Sequence, residues 1–136
     1  MYIIIFILGT IIGSFLNVCI YRIPREESIV FPSSHCTYCN TPLKWYDLIP
    51  VLSYLFLRGK CRYCGGDISP QYPFIELLNG IIYSILFYYL GLSLDFLYFS
   101  IIISILLVIS IIDFYHQIIP DILLVLVIII TVLYRV

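Results

Sequence analysis

Four long apolar segments alternate with polar segments along the chain. The first runs from Met1 to Tyr21 and meets no charge before Arg22. The others run from about Pro73 to Leu92, from about Phe96 to Ile112, and from about Ile118 to Val136. A transmembrane helix needs about 20 mainly apolar residues, a length that the fourth segment barely reaches. The pattern predicts an all-α multi-pass membrane protein with about four transmembrane helices.

The composition supports lipid as the solvent for most of the chain. Apolar residues make up 62% and charged residues 11% of the sequence, whereas about a quarter of the residues of a typical globular protein are charged. The net charge of −1, with no basic stripe bearing aromatic residues, indicates no nucleic-acid partner. The first segment lacks a basic n-region and a small-residue cleavage site, so we expect it to remain as a span.

Residues 22–72 form the main polar segment. They hold six of the seven basic residues, namely Arg22, Arg25, Lys44, Arg58, Lys60 and Arg62. The positive-inside rule places this loop in the cytoplasm, together with the polar stretch from Asp113 to Asp121. The predicted organisation is therefore transmembrane helix 1 at residues 1–21, a cytoplasmic loop at 22–72 and three further helices at 73–136.

Two C-x-x-C pairs in this loop have the spacing of a metal site. The pairs are Cys36/Cys39 and Cys61/Cys64, separated by 21 residues. Such pairs point two thiolates at one ion and typify tetrahedral zinc coordination. The residue after each C-x-x-C pair often needs positive φ, a conformation that asparagine and glycine adopt at little cost in free energy. Asn40 and Gly65 occupy those positions.

Two disulfides, or thiols that are merely neighbours, are the alternatives to zinc. A reducing cytoplasm argues against disulfides. Four sulfur ligands leave no open position for water, so the predicted zinc is structural. The loop has little apolar material of its own, and metal binding should supply much of its folding free energy. Cys19 lies inside the first span, where we expect a packing role.

Three acidic residues fall at membrane depth, where ionisable groups are costly and suggest function. Glu76 lies near the start of the second span, and Asp113 and Asp121 flank the break that Pro120 imposes. Asp113 could simply end a span, and Asp121 could cap the next helix. If the stretch were helical, the two aspartates would lie about 12 Å apart along the axis, too far for a proton-sharing pair.

Aspartic-peptidase chemistry needs two carboxylates that share a proton and activate a water. If Asp113 is one of them, the second is expected from elsewhere in the protein. Asp47 and Asp67 belong to the cysteine-bearing loop, and Asp95 falls on the opposite face of the predicted membrane. Among other polar residues of the spans, Gly13 and Ser14 favour close helix packing. For Asn17, a helix–helix hydrogen bond is favoured over a ligand role.

These motifs together resemble the N-terminal part of the type IV prepilin peptidases. The resemblance rests on both cysteine pairs and on these further segments: Gly13-Ser-Phe-Leu-Asn-Val-Cys-Ile-Tyr-Arg-Ile-Pro24, Trp45-Tyr-Asp-Leu-Ile-Pro-Val-Leu-Ser53, Arg58-Gly-Lys-Cys61, Ile68-Ser-Pro-Gln-Tyr-Pro-Phe-Ile-Glu-Leu77 and the segment from Asp113 to Asp121. It covers nearly the whole chain.

The resemblance implies an aspartic peptidase of the bacterial inner membrane that removes the basic leader of prepilins and pseudopilins. The same family methylates the new N-terminus with S-adenosylmethionine and serves pili, type II secretion and competence. Asp113 matches the first catalytic aspartate, and the four cysteines match zinc ligands in the region tied to methyl transfer. Glu76 and Asp121 are the candidate substrate-binding residues; for Glu76, a catalytic role and pairing with a loop arginine are the alternatives.

The second family aspartate lies further along, in a G-x-G-D motif on later spans. Cys64-Gly-Gly-Asp67 lacks the first glycine of that motif. We therefore expect a truncated form, or a second copy or C-terminal half that supplies the missing aspartate. Two other hypotheses stay open at this point: a module for methyl transfer alone, and a non-catalytic zinc-bearing membrane adaptor.

Overall fold

The computed structural model describes residues 1–26, 35–36, 38–44, 46 and 49–136. Trp45 and Asp47, which the sequence motifs include, lie outside these described residues. The helices in chain order are α1 (Tyr2–Arg22), α2 (Leu52–Phe56), α3 (Gln71–Leu90), α4 (Leu94–His116) and α5 (Asp121–Arg135). In the described ranges β pairing is limited to two isolated bridges. The all-α prediction is confirmed.

Three of these helices are long and apolar enough to cross a membrane: α1 with the 3₁₀ turn that extends it to Arg25, α3 and α4. The fourth, α5, has 15 residues and a length of about 22 Å, shorter than the roughly 30 Å hydrocarbon layer. Large apolar side chains cover the exposed surface of all four, among them Ile3, Phe74, Leu97 and Leu133. A multi-pass helical protein in lipid accounts for this surface.

Glycines bring α1 and α3 into backbone contact. A Cβ added at Gly13 would lie 2.7 Å from the Cα of Glu76, and one added at Gly9 would lie 2.7 Å from the Cα of Gly80. The spacing of Gly9 and Gly13 is that of a small-residue packing motif, which allows such close approach in membranes. The packing role expected for Gly13 is confirmed.

A buried polar network joins α1, α3 and α4. The Asn79 side chain is fully buried, and its Nδ2 donates to the Gly9 carbonyl at 2.7 Å. The Asn79 Oδ1 accepts from Ser104 Oγ at 3.3 Å, and Ser104 also bonds the Tyr83 hydroxyl at 2.9 Å. Because each polar side chain finds a partner, the network links the helices without leaving these groups unsatisfied.

One end of the bundle holds the larger apolar core. It combines residues of α1, α3, α4 and α5, namely Leu16, Cys19, Ile20, Ile75, Val108, Ile109, Ile112 and Leu123. Cys19 is buried in this core, in agreement with the packing role expected for it. The end of α1, the start of α3 and the end of α4 thus meet, so Glu76 and Asp113 lie at the same end of the bundle.

The helix boundaries differ from the sequence prediction by up to a turn. Helix α4 continues through Asp113 to His116 and ends where Gln117 adopts a left-handed φ of 55°. The Gln117 N–H donates to the Asp113 carbonyl at 2.8 Å, which closes the last turn. Asp113 therefore lies inside the last turn of a helix. Helix α5 begins after Pro120, because the proline cannot continue a preceding helix.

Candidate metal centre and adjoining cavity

Both cysteine pairs form the same tight turn. The Asn40 N–H donates to the Cys36 carbonyl at 2.9 Å, and the Gly65 N–H donates to the Cys61 carbonyl at 3.0 Å. Asn40 has φ of 56° and Gly65 has φ of 72°. The prediction that these two residues take positive φ is confirmed.

Backbone amides approach the first sulfur of each pair. The Tyr38 N–H donates to Cys36 Sγ, and the Tyr63 N–H donates to Cys61 Sγ, each at 3.4 Å. Such contacts stabilise negative charge on sulfur, which a thiolate ligand carries. The turns therefore hold the cysteines in a conformation suited to binding a cation.

The two pairs meet in one four-sulfur cluster. The Sγ atoms of Cys36 and Cys64 are 3.6 Å apart and those of Cys39 and Cys61 are 4.0 Å apart. All four ligand atoms lie within 4.8 Å of one another. Tetrahedral coordination with Zn–S bonds of about 2.3 Å would separate the sulfurs by about 3.8 Å. The thiols are free, and the donor set fits a metal ion.

The pKa of one of the four cysteines is lowered by a residue close to it in the chain. Hydrogen bonds with the side chain and backbone of Thr41 lower the pKa of the Cys39 thiol to about 6. The thiolate is the form that binds metal. Thr41 therefore favours the ligand form of Cys39 near neutral pH.

A cavity of about 770 Å³ lies between the second half of α1, α2, the start of α3 and the cysteine turns. Cys36 and Cys61 form part of its wall, so the four-cysteine cluster and the cavity adjoin. Its charged, amide and imidazole-bearing lining residues are Asn17, Arg22, His35, Arg62, Asp67 and Glu76. Four tyrosines also line it, namely Tyr21, Tyr38, Tyr54 and Tyr72.

Glu76 is held at the cavity wall by two hydrogen bonds. Ser14 Oγ donates to Glu76 Oε1 at 2.9 Å, and the backbone N–H of Val51 donates to Oε2 at 2.6 Å. The carboxylate is half-buried and joins α1, α3 and the loop before α2. Because both oxygens are engaged, the orientation of the carboxylate is fixed.

The Val51 contact was not foreseen from the sequence. Val51 has φ of 61° and ψ of −52°, and the Leu52 N–H donates to the Pro50 carbonyl across it. This is a three-residue turn of the rare positive-φ kind, and it is strained for a β-branched residue. Its partner is a backbone amide, so no side-chain motif could have indicated it.

Asp113 and Asp121 lie outside this cavity. Both are exposed among the described residues, at the last turn of α4 and the first residue of α5. The N-cap residue of α5 is Pro120, and Asp121 follows it in the first turn, where a negative charge favours the helix dipole. The two aspartates lie on different helices, joined by a bend at Gln117. The helical-spacing argument therefore does not apply to them.

Of the other acidic residues considered above, Asp67 and Asp95 are among the described residues and Asp47 is not. Asp67 is exposed within the second cysteine turn and pairs with Lys60 in an isolated bridge. Asp95, in the first turn of α4, accepts a hydrogen bond from the Tyr134 hydroxyl at the far end of the bundle.

The chain is similar to a known family over most of its length. The family model described as the bacterial peptidase A24 N-terminal domain matches residues 7–90. A prepilin leader peptidase/N-methyltransferase of Myxococcus xanthus is 42% identical over 85% of this chain and 35% of its own length. The enzymes of that name from Klebsiella pneumoniae and Bacillus subtilis are 40% and 38% identical, over 86% and 87% of this chain.

The chain spans 54% and 48% of these two relatives, about half of their length. No solved structure matched it. The matched region contains both cysteine pairs, Glu76 and the whole lining of the cavity. The chain therefore belongs to the bacterial A24 peptidases, the family of the prepilin leader peptidase/N-methyltransferases, and corresponds to their N-terminal part.

Proposed function

We propose that this chain is the N-terminal part of a membrane-embedded enzyme that processes prepilins and pseudopilins. The peptidase reaction adds water across the peptide bond between the basic leader and the mature protein. The methyl-transfer reaction moves a methyl group from the sulfonium sulfur of S-adenosylmethionine to the new N-terminal amine. The amine loses a proton, and the methyl donor departs with its sulfur as a neutral thioether. Both activities are supported by the similarity to prepilin leader peptidase/N-methyltransferases.

Asp113 is the proposed catalytic aspartate. Aspartic-peptidase chemistry uses two carboxylates that share a proton and activate one water. The position of Asp113 in the last turn of α4, exposed and at the same end of the bundle as the cavity, supports the role. Asp121 at the start of α5 is close in sequence and is proposed to contact the substrate.

The second carboxylate is proposed to come from a segment outside this chain. The relatives extend well beyond the matched region, and Asp95 lies at the opposite end of the bundle. A longer polypeptide, a separate C-terminal half or a second copy of the chain could each provide it.

The four cysteines are proposed to hold zinc, and S-adenosylmethionine is the proposed second cofactor. With four sulfur ligands, zinc would brace the two turns and leave no coordination site for substrate. Cys36 and Cys61 also form one wall of the cavity, so the metal would fix the shape of that wall. Glu76 projects from the facing helix and is proposed to contact the substrate there.

The proposed orientation places the cysteine turns, the cavity and Asp113 at the cytoplasmic face of the bacterial inner membrane. The cluster of basic residues between α1 and α3 supports this orientation. A basic prepilin leader would remain on the same face, where its charge avoids the membrane interior.

The decisive experiment is mass spectrometry of a prepilin incubated with this chain in membranes, with and without the C-terminal spans of a relative. We expect leader removal only when those spans are present, and loss of removal in the Asp113→Asn variant. Normal cleavage by that variant would refute the assignment of Asp113.

A second candidate function is methyl transfer by this chain alone. The observation that favours it is that residues of this chain, from Ser14 to Glu76, line a large cavity beside the cysteine cluster. It predicts saturable binding of S-adenosylmethionine by the purified protein and methylation of a pre-cleaved pilin peptide. No binding at millimolar concentration would refute it.

A further inference from the structure

Asn17 occupies an unusual position in the wall of the cavity. It lies on α1, three residues after Ser14, and is 4% exposed. Its Nδ2 donates to the backbone carbonyl of Tyr72 at 3.0 Å. The helix–helix hydrogen bond favoured by the sequence is therefore present, and it joins α1 to the first turn of α3.

That hydrogen bond determines which way the amide faces. A backbone carbonyl only accepts hydrogen bonds, so the group that faces Tyr72 must be the NH₂ end of the Asn17 side chain. The oxygen end points away from it. Asn17 Oδ1 is buried and has no hydrogen-bond partner among the described residues.

An unsatisfied buried acceptor is costly and is rare in native proteins. Asn79 is the other buried asparagine of the α1–α3 seam, the line along which these two helices pack. It shows the usual outcome, because both ends of its amide have partners. Asn17 differs from Asn79 in lining the cavity. A ligand group that reaches Oδ1 from the cavity would satisfy the acceptor that the protein leaves free.

The neighbours of Asn17 indicate the class of ligand. Glu76 is joined to Ser14, one helical turn from Asn17 along the same seam, and adds a second acceptor with negative charge. The two arginines of the lining, Arg22 and Arg62, are already engaged within the chain. Tyrosine rings complete the wall, and their faces attract cations. This environment suits an N–H donor with positive charge.

We propose that Asn17 Oδ1 accepts a hydrogen bond from a primary amino group of a ligand in this cavity, with Glu76 as the nearby counter-charge. The proposal rests on the proposed methyl-transfer function, which offers two sources of such a group. One is the new N-terminus of a processed pilin, and the other is the α-amino group of S-adenosylmethionine.

Two substitutions separate the two ends of the amide. Asn17→Asp keeps an acceptor in place but removes the Nδ2 donor, whereas Asn17→Leu has a similar size and removes both. Asn79→Leu is the matched control, because it removes a buried helix–helix hydrogen bond on the same seam outside the cavity. Thermal unfolding in detergent reports the structural cost of each substitution.

The readout is the dissociation constant, measured by calorimetry on the purified chain. The probes are S-adenosylmethionine, a peptide with the N-terminal sequence of a processed pilin, and the same peptide with an acetylated N-terminus. We expect Asn17→Leu to weaken binding of one amine-bearing probe about tenfold or more. Asn17→Asp should stay within about threefold of the parent chain, and Asn79→Leu should bind like the parent.

The pattern across probes identifies the source. If Asn17→Leu weakens binding of the free peptide but does not change binding of the acetylated peptide, the ligand group is the pilin N-terminus. If the dependence is confined to S-adenosylmethionine, it is the α-amino group of the methyl donor. Equal weakening by Asn17→Leu, Asn17→Asp and Asn79→Leu would overturn the proposal, since only helix packing would then be involved. Unchanged binding in Asn17→Leu would overturn it as well.

Failure of the proposed function has a different signature. If the chain transfers no methyl group even with the C-terminal spans present, yet binds the free peptide in an Asn17-dependent way, the function fails and the amine site stands. If methyl transfer occurs and the affinity of Asn17→Leu is that of the parent, the amine site fails and the function stands.

Discussion

The cysteine cluster and the Asp113–Asp121 segment lie at the same end of the helix bundle, and they are built differently. The cluster is closed: four sulfurs within 4.8 Å and backbone turns that repeat in both pairs. The aspartates are exposed on two helices joined by a bend at Gln117. The first region contains four ligand atoms that can surround one metal ion, whereas the second holds one carboxylate of the proposed catalytic pair.

The difference suggests that the two regions depend on different parts of the protein. A site made of short local turns folds once a metal joins them, so it can be complete within a fragment of a larger enzyme. A carboxylate dyad requires two groups from separate helices, so its completion depends on which helices are present. We therefore expect changes in the two regions to have separable effects.

The largest expected effect is the loss of one metal ligand. Cys61→Ser should abolish stoichiometric zinc binding and unfold the cysteine turns, because structural zinc in small sites contributes about 10–16 kcal/mol. The measurements are metal content per chain and limited proteolysis of the loop. Cys19→Ala, which alters a cysteine in the apolar core, should retain the metal; its loss there would mean that the assignment of ligands is wrong.

The next largest effect is a loss of catalytic activity with no change in the fold. In a protein completed with the C-terminal spans, Asp113→Asn should reduce leader cleavage at least about a thousandfold, or about 4 kcal/mol of barrier. Metal content and unfolding temperature should not change. Asp121→Asn is the matched control and should lower the rate only several-fold. An equal loss in both variants would show that the two aspartates act as one unit.

The seam that holds the two regions in register gives an intermediate effect. Gly13→Ala places a methyl group 2.7 Å from the Cα of Glu76, so α1 and α3 must separate at a cost of about 1–3 kcal/mol. Thermal unfolding in detergent tests this. The control is Ile11→Ala on the exposed side of α1. A similar drop in both variants would argue against close packing as the cause.

A smaller effect is expected where one cysteine turn needs positive φ. Asn40→Val should weaken zinc binding by about 1–2 kcal/mol, because a β-branched side chain is strained at φ of 56°. Asn40→Gly should bind zinc as well as the parent chain. Competition with a chromophoric chelator measures both, and equal affinity in the two variants would contradict the backbone explanation.

The smallest effect concerns pH. The hydrogen bonds from Thr41 keep the Cys39 pKa at about 6, below its ordinary value of 9.0. A lowered pKa favours the thiolate above pH 6, and this contribution is lost as the pH falls through 6. Thr41→Val removes the side-chain hydrogen bond, so zinc uptake by the metal-free chain should need a slightly higher pH. Zinc titrations at pH 5–8 would detect the shift, with Thr131→Val as the control.

Local patterns predicted much of the fold and of the metal site. Apolar runs indicated the helices, and the two C-x-x-C pairs indicated the cluster, since both depend on residues a few positions apart. The end of α4 was misjudged because Asp113 is polar, yet the helix continues through Phe114 and Tyr115 until Gln117 adopts positive φ. Polarity alone therefore did not mark the end of the helix.

The sequence by itself determined the helical membrane class, the four cysteines of the cluster and the positive φ of Asn40 and Gly65. Only the tertiary structure decided that Glu76 is held by Ser14 and Val51, and that Asn17 turns its oxygen away from Tyr72. These contacts join residues 62, 25 and 55 positions apart. The Ser14 and Asn17 contacts form where glycines let α1 and α3 pack backbone to backbone, and the Val51 contact forms where the loop before α2 meets α3. No short segment specifies either geometry alone.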